Sequence, residues 1–437
     1  MNTTFKSISL SPIMLEVIDK LHFQQPTEIQ LKVIPAILKG KSVIGQSNTG
    51  SGKTHSFLLP IFEQLNEKEK QVQSVITAPT RELATQIYDE VKKIIKLAGK
   101  EQDWSAKLLV GGTDKQKMID KLKEPPQIVV GTPGRILDLV KDEALSIYSA
   151  NSFVIDEADL MLDLGFIDDV DQLLVRCKKD IQLMVFSATI PQRLEHFFKK
   201  YLENPLHVKI ANELSPETME HRLIAAKHRE EDEIIYQISK AINPYLAIIF
   251  TNGKENANRL HGKLLDKGLN VGIIHGGLPP RERKRVLKEI QSLKYQYIVA
   301  TDLASRGIDI KGVSHVINAQ LPKEEEFYIH RVGRTARAGL EGTAVSLYRE
   351  EDIKLIEKLE QKGLEFIFYD VRNGEWKDAK AWNERNLRLK TTTDVEKEAW
   401  KQVRKPKKVK PGYKKKMKQQ QESIKRKLTK KSKNHKR

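Results

Sequence analysis

Short apolar runs rich in β-branched residues recur along this chain, with helix-length stretches between them. In the first half they fall at 74–78, 107–110, 127–130, 152–155 and 182–186, and in the second at 245–250, 271–274, 296–300, 315–318 and 343–347. Their apolar character is continuous rather than alternating, as in strands buried on both faces, which predicts parallel sheets covered by helices. Alternation of strand and helix over this length predicts an α/β protein with doubly wound sheets. An amphipathic helix is expected to start at Pro12 and run to Leu21.

Polar residues gather just behind the runs. Thr80 and Arg81 follow the first, Gly111 and Gly112 the second, and Thr132 to Arg135 the third. Asp156 and Glu157, then Ser187 to Thr189, follow the last two of that half. The second half repeats the arrangement with Thr251 and Asn252, His275 to Gly277, and Thr301 and Asp302. In open α/β sheets ligands bind outside the carboxyl ends of the strands. Each half should therefore carry its chemistry on one edge, with the two edges facing across a cleft.

At 437 residues the chain exceeds a single core. The expected organisation is an N-terminal segment (1–30), a first domain (31–211), a linker around Pro216 (212–218), a second domain (219–371), a C-terminal extension (372–400) and a basic tail (401–437). Charge separates body from tail. Residues 401–437 hold 18 Lys and Arg against one acidic residue, Glu422, whereas the other 400 residues carry 58 basic and 57 acidic side chains. The tail has too few apolar residues to bury and is expected to be disordered when unbound. No run approaches the roughly 18 apolar residues of a membrane span, and no cleavable leader pattern opens the chain. The single cysteine, Cys177, excludes an intrachain disulfide and fits a reducing, cytoplasmic setting.

Three segments carry chemistry. In Ser47-Asn48-Thr49-Gly50-Ser51-Gly52-Lys53-Thr54, Gly50 and Gly52 let backbone approach phosphate closely, Lys53 can neutralise β/γ-phosphates and Thr54 can bind Mg²⁺. Behind the run Phe153-Val154-Ile155 come Asp156-Glu157-Ala158-Asp159, two carboxylates at a buried strand end, one suited to a cation and Glu157 to the attacking water. Far downstream, His330-Arg331-Val332-Gly333-Arg334-Thr335-Ala336-Arg337 supplies arginines of the kind that stabilise phosphoryl transfer.

With these motifs the chain resembles the DEAD-box RNA helicases over residues 5–370. The resemblance implies two tandem RecA-like domains using ATP and Mg²⁺. It assigns Phe5 to stacking on adenine and the segment Phe23–Gln30, with Thr27 and Gln30, to reading it. Ser47, Thr49, Gly50, Ser51, Gly52, Lys53 and Thr54 would hold the phosphates, and Asp309 the ribose. Thr54 and Asp156 would bind magnesium, and Glu157 would activate water. Asp159 would couple to Ser187 and Thr189, and His330 and Arg331 would link the nucleotide to the interdomain interface. Arg334 and Arg337 would be the arginine fingers. RNA would lie on Arg81, Gly112, Thr132, Arg135 and Thr301 through backbone contacts that read no sequence. The departures are Ser47 in place of the usual loop glycine, Ala336 where glycine is common, and Pro280 where glutamine is frequent.

Some readings stay open. Most of the stretch Arg281–Arg285 is expected to be a solvated helix face, with Arg283 the member that matches the family. The tail is a salt-sensitive RNA tether, a nuclear import signal or a plain solubilising extension. Trp376, Trp382 and Trp400 stack on bases or anchor a helix. Length and tail most resemble the bacterial cold-shock members, implying roles in ribosome assembly or RNA decay with ribosomal precursors or decay proteins as partners. A DNA translocase and an ATP-gated RNA clamp are the competing function classes.

Overall fold

Neighbouring residues of one strand serve opposite faces of the sheet, which is why the apolar runs are continuous. Ile76, Val130 and Val154 belong to one buried cluster, whereas Val75, Val129, Phe153 and Ile155 belong to another. The computed structural model describes residues 4–47, 50–112, 114–210, 218–302, 310, 312–336, 341–381, 402–403, 417 and 419–424. Thr49, Asp309, Arg337, Trp382, Trp400, most of the expected linker and nearly all of the basic tail lie outside the described residues. The chain divides into two compact units, 1–377 and 378–437. The first holds both α/β domains.

The first domain is a seven-stranded sheet. Its strands are β1 (Val43–Gln46), β2 (Ser74–Thr77), β3 (Ala106–Leu109), β4 (Ile128–Gly131), β5 (Ser152–Asp156), β6 (Gln182–Ser187) and β7 (Leu206–Lys209). They pair in the order β3-β4-β2-β5-β6-β1-β7, parallel throughout. The second sheet comprises β8 (Met219–Ala225), β9 (Ala247–Thr251), β10 (Val271–Ile274), β11 (Tyr297–Thr301), β12 (His315–Asn318), β13 (Gly342–Tyr348), β14 (Phe366–Arg372) and β15 (Glu375–Asp378). Its order is β10-β11-β9-β12-β13-β8-β14-β15, parallel from β10 to β14. All ten expected strands are present. The helix expected from Pro12 spans Pro12–Lys20, capped by Ser11, whose Oγ accepts from the Met14 N–H.

Five strands escaped the sequence pattern, each for a physical reason. β1 has only two apolar side chains, because Gly45 lies where a Cβ would come 2.8 Å from the Phe186 ring. β7 is an edge strand with Val208 alone buried. β8 alternates, carrying its Glu220–Arg222 ion pair (2.6 Å) on the outer face. β14 and β15 are half-exposed and extend the second sheet past residue 371. Trp376 therefore sits on a strand, 5.6 Å from the Tyr369 ring and under the Arg222 guanidinium (4.7 Å). Cys177 is buried, and burial pushes its thiol up to about 12, as an inert structural cysteine requires.

Gly131 ends β4, and a Cβ there would run into the Leu109 carbonyl oxygen of β3. Gly131→Ala is expected to cost the first domain about 1–3 kcal/mol by overpacking between two backbones, read as a lower urea midpoint with an unchanged m-value.

Candidate active site

β6 lies between β5 and β1, and its register sets Asp156 opposite Phe186 and Gln46 opposite Ser187. The ends of three strands therefore open side by side. The Ser47 N–H donates to Ser187 O (3.1 Å) and Gln46 Nε2 to Ala188 O (3.2 Å), tying the loop's first residue to the turn after β6. The chain then turns through Gly50 and Gly52, at φ +85° and +92°, into the helix Lys53–Glu63. Gly52 has a second reason to be glycine, since a Cβ would come within 2.9 Å of both Gln30 Nε2 and Thr27 Oγ1. Lys53, 6% exposed, donates to Ser47 O (2.9 Å), and its Nζ lies 3.7 Å from Glu157 Oε1. Ser47 and Ser51 hydroxyls share a 2.7 Å bond, a contact that glycine at position 47 would forgo. Thr54 is half-buried in the first helical turn.

The Gln30 amide is already engaged. Its Oε1 accepts from the Thr27 N–H (2.9 Å) and its Nε2 donates to Gly52 O (3.2 Å). One N–H and one lone pair remain for a base. Phe5 is 4% exposed, its ring 6.5 Å from that of Phe23. Stacking on adenine therefore requires the short segment Phe5–Ser7 to shift.

Glu157 turns the chain from β5 into the helix Ala158–Asp163 at φ +50°, a left-handed conformation costing a non-glycine residue about 1 kcal/mol. Asp156 accepts the Glu157 N–H (3.0 Å). Burial and then the charge of Glu157 push its carboxyl up to about 7, against the pull of Lys53. Asp159 is governed differently. Burial alone would raise it, but His330, Lys53 and the Thr189 N–H together hold it well below the usual carboxylate range. Its N–H donates to Ser187 Oγ (3.1 Å), and its carboxylate accepts from the Thr189 N–H and Oγ1 (both 3.0 Å).

His330 Nε2 stands 3.6 Å from Asp159 Oδ2 on the helix Glu325–Val332 of the second domain. One carboxylate thus meets both domains. A second bridge, Arg283 Nε to Glu82 Oε1 (2.9 Å), was not legible in the sequence, because nothing local to Glu82 names so distant a partner. Arg283, which the resemblance had set apart from the rest of its helix face, is therefore an interdomain residue.

Arg331 requires a correction. Instead of linking nucleotide to the interface, it is buried within the second domain with all five N–H donors matched. Its Nε and Nη2 grip Asp302 (2.5 and 2.7 Å), Nη1 donates to Asn318 Oδ1 (3.3 Å) and Gln320 O (2.6 Å), and Nη2 also donates to Asn252 Oδ1 (2.8 Å). The available signal was Asp302 and Asn252, both directly behind strands. Arg334 is buried three residues on.

Among the expected RNA residues, Arg81 is exposed at the start of the helix Arg81–Leu97, its guanidinium 3.2 Å from where a Gly111 Cβ would be. Gly112 stands at φ +82°. Thr132 is the N-cap residue of the helix Pro133–Lys141, with Arg135 half-buried in its first turn. These residues follow the adjacent strands β2, β3 and β4. Thr301 ends β11 in the second domain.

The family model for the DEAD/DEAH box helicases matches residues 27–197, and that for the helicase conserved C-terminal domain matches 227–339. The DEAD-box ATP-dependent RNA helicase CshB of Bacillus subtilis is 51% identical over 427 residues, 97% of each chain, and that of Listeria monocytogenes 48% over 424, again 97% of each. The chain belongs to the DEAD-box RNA helicases. Members of this family are RNA-dependent ATPases, and this one is an ATP-dependent RNA helicase with two RecA-like domains. Among solved structures, S. cerevisiae Dbp5 bound to RNA and ADP BeF3 aligns at a TM-score of 0.76 and 30% identity, covering 84% of this chain and 95% of that one. Mss116p bound to ssRNA and AMP-PNP aligns at 0.75 and 27%, covering 92% and 86%. Ala336, a departure from the family's common glycine, stands at φ +52°, where alanine costs about 1 kcal/mol.

Two expectations follow. Asp156 keeps a proton in the folded chain at pH values where the unfolded chain has lost it, so it contributes less stability as pH rises from about 4 to about 7. Buried His221, lowered to about 4, tilts the other way, so the reading is a difference between proteins. Relative to wild type without nucleotide, Asp156→Asn should be neutral near pH 4 and stabilising at pH 8 by on the order of 1–2 kcal/mol. Urea titrations at the two pH values check this. Arg331→Lys, with three donors on a point charge, should cost the second domain about 3 kcal/mol, seen as early loss of the second domain's signal in the same titrations.

Proposed function

We propose that ATP and single-stranded RNA together draw the two domains closed, and that the closed state bends one strand out of A-form geometry so that a short duplex loses pairs. Hydrolysis and phosphate release then reset the cycle. The observation that carries this reading is the Asp159 carboxylate, which accepts from Thr189 of one domain while lying 3.6 Å from His330 of the other. A change at Ser187 and Thr189 is thereby felt at the second domain's helix.

In this reading Ser47, Thr49, Gly50, Ser51, Gly52 and Thr54 surround the phosphates, and Lys53 exchanges its bond to Ser47 O for phosphate oxygen. Thr27, Gln30 and Phe5 take the adenine and Asp309 the ribose. Thr54 and Asp156 would hold Mg²⁺. They offer the hard oxygen donors it prefers, and Asp156 is a carboxylate driven toward neutrality by burial and by the charge of Glu157, which a cation would offset. When bound, the ion would neutralise phosphate charge. Glu157 orients the attacking water and accepts its proton, and Arg334 and Arg337 stabilise the transferring phosphoryl group. Arg81, Gly112, Thr132, Arg135 and Thr301 hold the RNA backbone, and the lysine-rich tail tethers RNA loosely. Similarity to CshB over nearly the whole chain supports a cytoplasmic role in cold adaptation, ribosome assembly or RNA decay, alongside ribosomal precursors or decay proteins.

The test is the ATPase rate without nucleic acid, with single-stranded RNA and with matched DNA, for the full chain and for residues 1–400. Stimulation confined to RNA is expected, with the shorter chain losing apparent RNA affinity but not maximal rate. Equal stimulation by DNA overturns the substrate. Glu157→Gln should lower turnover by about 10²–10⁴-fold yet retain RNA in ATP; weak RNA binding by that variant counts against ATP-driven closure.

A further inference from the structure

Through the core of the second domain runs a chain of buried polar side chains that begins in β8 and ends at the Arg331 guanidinium. His221 Nδ1 lies 2.9 Å from the Tyr328 hydroxyl, and Tyr328 is hydrogen-bonded to Ser346. Ser346 Oγ accepts from Asn318 Nδ2 (3.0 Å), and Asn318 Oδ1 accepts from Arg331. Tyr328, Ser346 and Asn318 are wholly inaccessible, Arg331 nearly so, and His221 is 4% exposed. The Phe366 ring seals the outer end, 5.9 Å from His221 and 6.0 Å from Tyr328. Buried polar groups of this kind are costly unless every member is satisfied, and when satisfied they fix a unique arrangement.

Two facts make this chain more than core packing. Tyr328 and Arg331 lie on the helix Glu325–Val332 that carries His330 and leads into Arg334. His221 lies on β8, the first described strand after the interdomain segment 211–217. We propose that His221 is a positioning residue for ATP hydrolysis, holding Tyr328 and with it the helix that presents His330 and Arg334 to the first domain. This rests on the reading of Arg334 as facing the transferring phosphate.

The proton order is determined from one end. A guanidinium only donates, so Asn318 turns its oxygen to Arg331 and its amide hydrogens to Ser346. The order in which every hydroxyl proton then finds an acceptor within the chain has Ser346 donating to Tyr328, and Tyr328 donating to His221 Nδ1. The imidazole carries its proton on Nε2. Burial holds it neutral, lowering it to about 4.

The test is RNA-stimulated ATPase of the full chain carrying His221→Phe, Tyr328→Phe, both, or His221→Asn, each measured well below its melting temperature. Each single Phe variant should lose about tenfold in kcat, inside the hundredfold that small misplacement of a reacting group costs, with KM for ATP changed by less than about twofold. The double variant should fall no further than the singles, because both break one link. His221→Asn keeps a polar atom for the phenol and should recover most of kcat. Nitrogen NMR of His221 at neutral pH should show the Nε2-protonated ring. Unchanged kcat with only a lowered melting temperature, multiplicative losses in the double variant, or a ring protonated on Nδ1 overturns the proposal. Arg334→Ala separates the two readings. If it turns over at the wild-type rate, the reading of Arg334 fails and this inference with it. If it loses turnover while His221→Phe does not, only this inference fails.

Discussion

Everything at the catalytic edge depends on β6 pairing in parallel with β1 on one side and β5 on the other. Parallel pairing leaves three carboxyl ends at one level, and the single-residue register decides which side chains emerge there. A slip of one position would exchange Asp156 with buried Ile155 and break the backbone bond from Ser47 to Ser187 O. The ligand-binding loop has little freedom of its own. It inherits its place from the hydrogen bonds of a sheet whose central strands β5 and β6 are buried throughout.

That dependence also explains which parts of the molecule were legible in sequence. Lys53, Asp156 and Glu157 could be singled out in sequence because their spacing is local, and the fold brings them together; ten strands were legible because their apolar runs are unbroken. β1, on which the phosphate loop is mounted, was not, because Gly45 surrenders its side chain to the Phe186 ring. β8 was missed for the opposite reason, its outer face being polar. Arg331 was misjudged since its position in a functional motif says nothing about direction. Only the fold shows that its guanidinium points back into its own domain, toward Asp302. Glu82 and Arg283 were beyond reach altogether, because an ion pair between distant segments leaves no periodicity or spacing behind.

The two domains also manage buried charge differently. In the second, Arg331 is matched donor for donor, a rigid arrangement with nothing left to give. In the first, Asp156, Glu157 and Asp159 crowd around one lysine, and one carboxyl is driven toward neutrality. A satisfied network fixes one arrangement of the core it runs through. An undercompensated cluster is one that the cation proposed above would relieve.

The engaged state of Lys53 and Gln30 has a kinetic consequence. The ammonium rests on the Ser47 carbonyl and the amide on Gly52, so the loop acts as its own competitive occupant. If Lys53 and Gln30 hold nucleotide as proposed above, an arriving nucleotide would displace partners already in place, and a departing one would leave behind groups that find each other again. Release therefore strands no unpaired donor in the core. Such a loop would trade tightness of binding for rapid emptying, as the proposed cycle requires.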